Sequence, residues 1–282
     1  MVQKKILITG KTSYIGTSFQ KYIEVYNHRN SDKTYEVDSI SVRGEEWKNY
    51  DFSQYDVVVH LAGIAHVDIG KGKQKELEEE YYRVNRDLTI EVAKKAKSSG
   101  IKQFIFMSSI IVYGESAPVG QQKVITRETV PKPSNFYGNS KLQAENGIKE
   151  LEDETFKVVI IRPPMIYGKG CKGNYAKLEK LATITPIFPK VENQRSMLDV
   201  RHLDQYMLNI IKKEKRGIFF PQEKEYVNVS KLVQKLGKEH GRKIYLFSGT
   251  QWLFKLLGRS RGKIGTIVNK VFGNLIYIRY EK

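Results

Sequence analysis

Between Lys5 and Arg162 the sequence alternates short, apolar, β-branched runs with longer amphipathic stretches, and this alternation leaves few folds open to it. Lys5-Ile-Leu-Ile-Thr9, Tyr35–Val42, Asp56-Val-Val-Val-His-Leu-Ala62, Gln103-Phe-Ile-Phe-Met-Ser108 and Lys157-Val-Val-Ile-Ile-Arg162 predict strands. Residues 15–26, 76–98 and Tyr137–Leu151 predict helices between them, the second stopped by Gly100. Strands with almost continuous apolar character are buried on both faces, as in a parallel sheet covered by helices. The expected class is therefore α/β, a doubly wound parallel sheet over residues 1–165. Residues 166–282 are expected to form a smaller lobe with a basic C-terminal segment, interleaved with the first.

Composition agrees with a packed protein: 40% of the 282 residues are hydrophobic and 11% aromatic, well above the range of disordered chains. No apolar run reaches the ~20 residues of a membrane span, and no signal-peptide core precedes Gly10. The single cysteine, Cys171, rules out an internal disulfide framework, and a cytoplasmic protein is expected. No metal site is expected. The net charge of +17 is unevenly spread: residues 231–282 hold twelve Lys or Arg against two Glu, a net of +10. The basicity belongs to the tail.

Directly after the first strand comes Thr9-Gly10-Lys11-Thr12-Ser13-Tyr14-Ile15-Gly16. Strand, glycine turn and helix together point backbone N–H groups and a positive helix end at a pyrophosphate, as in the Rossmann fold. Gly10 permits the tight turn and Gly16 close helix–strand packing, while Ser13 stands where a middle glycine is usual. Gly10, Thr12, Ser13, Tyr14, Ile15 and Gly16 are thus candidate cofactor contacts. The second strand ends in Ser41-Val42-Arg43-Gly44, with no carboxylate before Glu45. An arginine there accommodates a 2′-phosphate, so Arg43 favours NADP(H) slightly over NAD. The short interval from Arg43 to Asp56 implies a trimmed third βα element, with Asp51 and Phe52 placed over the adenine.

Tyr137 and Lys141 lie four apart in a predicted helix, on one face. An ammonium beside a phenol favours its ionised form, so the Tyr137 pKa is expected to fall toward working pH and the pair to handle a proton.

Four signals now stand in one order: the glycine turn, His60-Leu-Ala-Gly63, Met107-Ser-Ser-Ile-Ile-Val-Tyr-Gly114, and Tyr137 with Lys141. Over residues 1–230 this conjunction resembles the extended short-chain dehydrogenase/reductases of the NAD-dependent epimerase/dehydratase family, which modify nucleotide-linked sugars. The resemblance implies that Ser109 hydrogen-bonds the sugar O4, Tyr137 moves its proton, and Lys141 holds the nicotinamide ribose and lowers the tyrosine pKa. It places Leu61, Ala62 and Gly63 along the cofactor cleft, and Pro163, in Arg162-Pro-Pro-Met-Ile-Tyr-Gly168, in the loop over the nicotinamide. Gly173-Asn174-Tyr175 and Gln194-Arg195-Ser196 look like elements of the family's substrate lobe. Asn174 is expected to cap a helix and reach a diphosphate, Arg195 to pair phosphate oxygens, and His66 to line the pocket. Met165 departs from the asparagine that the family's UDP-galactose epimerases place there. Relatives of this architecture often dimerise through helices flanking the sheet, so a homodimer is expected.

The sugar 4,6-dehydratases that the chain resembles place an Asp-Glu pair after the serine or threonine; here Ile110 and Ile111 stand in those positions and cannot exchange protons. Dehydration is disfavoured. The reading that remains is NAD(P)-dependent chemistry at sugar C4. Its preferred form is reduction of a UDP-4-keto-6-deoxy-N-acetylhexosamine in surface polysaccharide synthesis, and its alternative is a 4-epimerase of the UDP-glucose or UDP-N-acetylglucosamine type. In the tail, Trp252, Leu253, Phe254, Leu256 and Leu257 adjoin a basic cluster. Such a segment either makes peripheral contact with an anionic membrane, useful for a lipid-linked sugar, or covers the substrate lobe with its charges solvated. A non-catalytic dinucleotide-binding protein with a basic interaction tail is a reading from a different class. No module specific for nucleic acid is recognisable.

Overall fold

The computed structural model describes residues 2–30, 34–65 and 74–279. In chain order the elements are β1 (Val2–Thr9), α1 (Tyr14–Arg29), β2 (Thr34–Ile40), β3 (Val57–His60), α2 (Gln74–Tyr82), α3 (Leu88–Ser98), β4 (Gln103–Met107) and β5 (Val124–Ile125). There follow α4 (Phe136–Lys149), β6 (Lys157–Ile161), β7 (Met165–Tyr167), α5 (Asn174–Ile184), β8 (Ile187–Pro189), β9 (Met197–Asp199), α6 (Val200–Lys212) and β10 (Gly217–Phe219). The chain continues through α7 (Val229–Glu239), β11 (Tyr245–Phe247), α8 (Gln251–Arg259), α9 (Lys263–Phe272) and β12 (Ile276–Tyr277).

The chain divides into two compact units. The first comprises Met1–Val112, Pro133–Pro163 and Asp199–Pro221, and the second Tyr113–Lys132, Pro164–Leu198 and Gln222–Lys282. Residues 113–132 belong to the second unit, and 199–221 return to the first.

The first unit is built on a six-stranded, all-parallel sheet in the order β10-β6-β4-β3-β1-β2. Its central strands are the runs of highest β-branched and aromatic content, and β3 and β4 are buried at every position, as expected of strands covered on both faces. β2 lies on one side of β1 while β3, β4 and β6 run off the other. Right-handed crossovers then put α1 on one face and α3 and α4 on the opposite one. α6 packs on α1, and α4 on α2 and α3. The reversal of strand order between β1 and β3 is the switch point at which such sheets take ligands.

Two departures from the sequence reading have plain causes. Residues 46–49 form a single 3₁₀ turn with Trp47 buried, so the third βα element is trimmed as expected. Phe52, however, is fully buried among Leu7, Val58 and Phe104. Its ring is core and offers no surface to an adenine, while the exposed Asp51 carboxylate closes a turn by accepting from the Ser53 amide (2.8 Å) and hydroxyl (2.7 Å). The expected helix over 76–98 is two helices joined by a π-helical turn at Arg83–Asp87.

The second unit has its own core around Val119, Tyr175, Phe188, Val233 and Phe272. Short parallel pairs, β8 with β11 and β5 with β12, support it.

Candidate functional site

The glycine turn is held by close approach. An added Cβ at Gly10, whose φ is +112°, would lie 2.9 Å from the Ala62 nitrogen and 3.0 Å from the Leu61 carbonyl carbon, so only glycine fits against the end of β3. Ser13 caps α1, its hydroxyl accepting from the Gly16 amide at 3.0 Å. The first turn of α1 carries no acidic residue, so the helix end keeps its positive potential. An uncluttered helix N-terminus beside a glycine turn at the switch point fits a dinucleotide pyrophosphate. Thr12 is exposed, Tyr14 and Ile15 are partly buried, and Leu61, Ala62 and Gly63 follow β3 on the same ligand-binding edge. Arg43 lies exposed beyond β2, its amide bonded to Ser41 Oγ. Two carboxylates of this region have other partners: Asp38 accepts from Tyr55 at 2.8 Å, and Glu45 pairs with Lys48 at 2.6 Å.

α4 begins at an Asn135 cap, whose side chain accepts from the Gly138 amide at 2.8 Å. Tyr137, Lys141 and Glu145 follow at four-residue steps along one face. The Tyr137 ring packs edge-on against Tyr81 at 5.8 Å. Burial pushes its phenol up to about 12, opposed by a hydrogen-bonding interaction with the Ser109 side chain and reinforced by Tyr81. This reverses the expected fall. The physical reason is that desolvating the phenolate outweighs the favourable partners, and Lys141 is engaged elsewhere: Nζ donates to the Met107 carbonyl at 3.0 Å and lies 4.6 Å over the Phe106 ring. Lys141 is 6% exposed, and burial lowers its own pKa to about 8 against the pull of Glu145. Gly63 faces this ammonium; a Cβ there would sit 3.1 Å from Nζ and 2.9 Å from Asn85 Oδ1. Ser109 follows β4 and accepts from the Ile111 amide at 3.3 Å. Pro163, buried after β6, accepts from the Ile110 amide at 2.9 Å.

Two features of this site went unread in the sequence. Glu145 is fully buried and pairs with Arg162, while Ser108 donates to the same carboxylate. The second is a polar chain through the core. Thr89 Oγ1 donates to the Asn85 carbonyl (2.9 Å), so it must accept from His60 Nε2 (3.0 Å), leaving His60 Nδ1 to accept from Thr9 Oγ1 (2.7 Å). His60 is thereby fixed as the neutral Nε2–H tautomer, and burial, aided by Lys141, drops its pKa to about 3. Asn85, turned inward by the π turn, clamps the Ile64 backbone through both amide atoms at 2.9 Å and donates to Ser140 Oγ at 3.2 Å. The signal was present: Asn85 lies on the apolar stripe of Tyr81, Leu88 and Val92, where a polar side chain needs a reason.

In the first unit the structure thus brings together the glycine turn, Leu61–Gly63, Ser109, Tyr137 and Lys141. Asn174 and Arg195 stand in the second unit. Asn174 is the first residue of α5, and the capping position belongs to Gly173 (φ +84°), so no side chain caps this helix. Arg195 donates through Nη1 to the Lys270 carbonyl at 2.7 Å, and burial lowers its pKa to about 10. His66 lies outside the described residues.

The model of the NAD dependent epimerase/dehydratase family matches residues 6–188. The chain belongs to this family. Among its relatives, a UDP-glucose 4-epimerase of Vibrio cholerae is 30% identical over 96% of this chain and 86% of its own length. An N-acetyl-α-D-glucosaminyl-diphospho-ditrans,octacis-undecaprenol 4-epimerase of Escherichia coli O157:H7 is 28% identical over 85% and 73%. The fold is shared with a dTDP-4-dehydrorhamnose reductase of Bacillus anthracis solved with NADP, at a TM-score of 0.68 and 18% identity, covering 99% of this chain and 91% of that one. Family membership thus agrees with a switch-point site that takes NAD or NADP.

Proposed function

We propose that this protein transfers hydride between a nicotinamide cofactor and C4 of a diphosphate-linked sugar, with Tyr137 as the proton-transfer group. The observation that carries this reading is the packing of Ser109, Tyr137 and Lys141 at the ends of β4 and α4, within a family member whose named relatives act at sugar C4. When bound, the cofactor supplies or accepts the hydride. The chain does the rest. Ser109 donates toward the phenol oxygen and is suited to orient the sugar O4. Tyr137, protonated through the neutral range, gives its proton to the C4 oxygen in reduction and recovers it in oxidation. Lys141, held by the Met107 carbonyl, is suited to hold the nicotinamide ribose. Ile110 and Ile111 offer no acid–base pair, so the C5–C6 elimination of a dehydratase has no proton shuttle here. In the second unit, the uncapped start of α5 at Asn174 suits a phosphate.

The form we favour is the 4-ketoreductase, acting on a UDP-4-keto-6-deoxy-N-acetylhexosamine with NADPH. Arg43 supports it: no hydrogen bond or ion pair engages its guanidinium among the described residues. A 4-epimerase that keeps one NAD is the second reading, favoured by the two relatives named above. One assay separates them. Loss of the nicotinamide absorbance on mixing NADPH with the keto-sugar supports the reductase; no loss, with interconversion of UDP-N-acetylglucosamine and its 4-epimer, replaces it with the epimerase. Failure of both, with Tyr137→Phe leaving every measured property unchanged, would leave a dinucleotide-binding module.

A further inference from the structure

The second unit closes on a helical hairpin whose outer surface is unusual for a solvated one. Residues 240–279 contain eight Lys or Arg and no Asp or Glu. On the inner side, Phe254 of α8 packs edge-on against Phe272 of α9 at 4.9 Å. Asn269 ties the helices together by donating to the Gly258 carbonyl at 2.7 Å, while its Oδ1 accepts from the Val119 amide at 3.1 Å. Both helices therefore turn their inner faces to one cluster. Their outer faces carry Trp252 and Leu256, 66% and 60% exposed, and Ile264 and Ile267, 61% and 62% exposed. Residues three and four apart share a helix face, so Lys255 and Arg259 flank the first pair, and Lys263 and Lys270 the second. Upstream, β11 exposes Tyr245 and Phe247 on one side of the strand. Tyr245 lies at the edge of a groove of about 800 Å³ lined by Lys231, Lys235, Lys238, Arg242 and Lys243.

We propose that this face docks the protein on an anionic lipid bilayer. Four large aliphatic or aromatic side chains in water, ringed by uncompensated cations, match the two halves of a lipid interface: apolar groups enter the acyl boundary and cations meet anionic headgroups. An indole is well placed at headgroup depth. The contact is peripheral, because no helix among the described residues is long and apolar enough to cross a membrane, and α8 and α9 have only 9 and 10 residues. Nucleic acid would reward the cations and leave Trp252, Leu256, Ile264 and Ile267 in water. A second copy on the same face would set cation against cation. Docking of this kind is independent of the reaction proposed above.

Flotation of the full-length protein with phosphatidylcholine vesicles, with and without phosphatidylglycerol, tests it. The protein should float only with the anionic vesicles, and less at high salt as surface charge is screened. Its fluorescence should shift to the blue; Trp47 is 3% exposed, so the shift reports Trp252 and should vanish in Trp252→Phe. Trp252→Ser with Leu256→Ser should weaken binding at least about tenfold, and Lys255→Gln and Arg259→Gln about fivefold each. Circular dichroism melts show whether the variants remain folded, and the lipid-composition comparison needs no variant. Equal recovery in the soluble fraction with both vesicle types would overturn the proposal. So would flotation that survives the double serine variant, retention of duplex DNA in place of vesicles, or a dimer in sedimentation velocity that these substitutions dissociate.

Discussion

A phenol held near a pKa of 12 and an ammonium lowered to about 8 describe a site that keeps its proton on Tyr137 and its charge on Lys141 at neutral pH. That division suits a donor in the reductive direction, and it makes predictions at single residues. Tyr137→Phe should lower kcat by about 10²–10⁴, the usual worth of a positioned proton donor, while calorimetry shows NAD(P) binding retained. Lys141 is charged below about pH 8 and neutral above it, so kcat/KM should decline through an alkaline limb near pH 8. A limb at the free-lysine value would mean that burial does not set its titration. Gly63→Ala puts a methyl group 3.1 Å from Nζ and should displace Lys141. Activity should fall by at least about tenfold, the cost of a small misplacement in a positioned site, with the melting temperature little changed.

At the scale of an element, α4 is set by two contacts on its inner side. Gly138 lies against the loop after β4, where an added Cβ would meet the Ile111 carbonyl at 2.8 Å and Pro133 at 3.0 Å. Gly138→Ala gains up to about 1 kcal/mol of helix propensity, but a clash with backbone costs about 1–3 kcal/mol. The clash wins, so denaturant titration should show a net loss. Further along, Glu145→Gln leaves the Arg162 guanidinium buried without its carboxylate and should cost about 3–5 kcal/mol. The sequence made much of this element legible: the strands announce themselves by continuous apolar runs, and Tyr137 with Lys141 by helical spacing. It could not show which effect governs the tyrosine, because the phenol's desolvation depends on Tyr81 and on how deeply α4 is seated. Nor could local pattern separate Phe52 as core from Phe52 as a ligand platform, since both use an aromatic ring after a turn. The π turn was hidden because a five-residue irregularity leaves the apolar stripe almost intact.

For the whole molecule, pH acts through a buried carboxylate outside the proton-transfer pair. Asp204 of α6 is buried, accepts from Ser18 at 2.6 Å, and has an Oδ1 without a hydrogen-bond partner among the described residues. Burial raises its pKa to about 7, with Asp199 adding to the rise and Ser18 opposing it. Between its unfolded value of 3.8 and about 7 the native state holds a proton that the unfolded state has released, so stability falls as pH rises through this window. Asp204→Asn should flatten that slope and be more stable than the parent at pH 8 by about 2–4 kcal/mol, measured by urea unfolding at a series of pH values. A parent whose stability is flat over the same range would refute the assignment.

The discontinuous first unit also bears on how the protein is made. Its sheet receives the edge strand β10 only when Gly217–Phe219 has been synthesised, after residues 164–198 of the second unit. Until then the outer edge of β6, a run of Val and Ile, stays unpaired. Unpaired apolar edges of this kind recruit other chains, so slowing translation before residue 217, or releasing a nascent chain there, should favour aggregation over a stable half-protein.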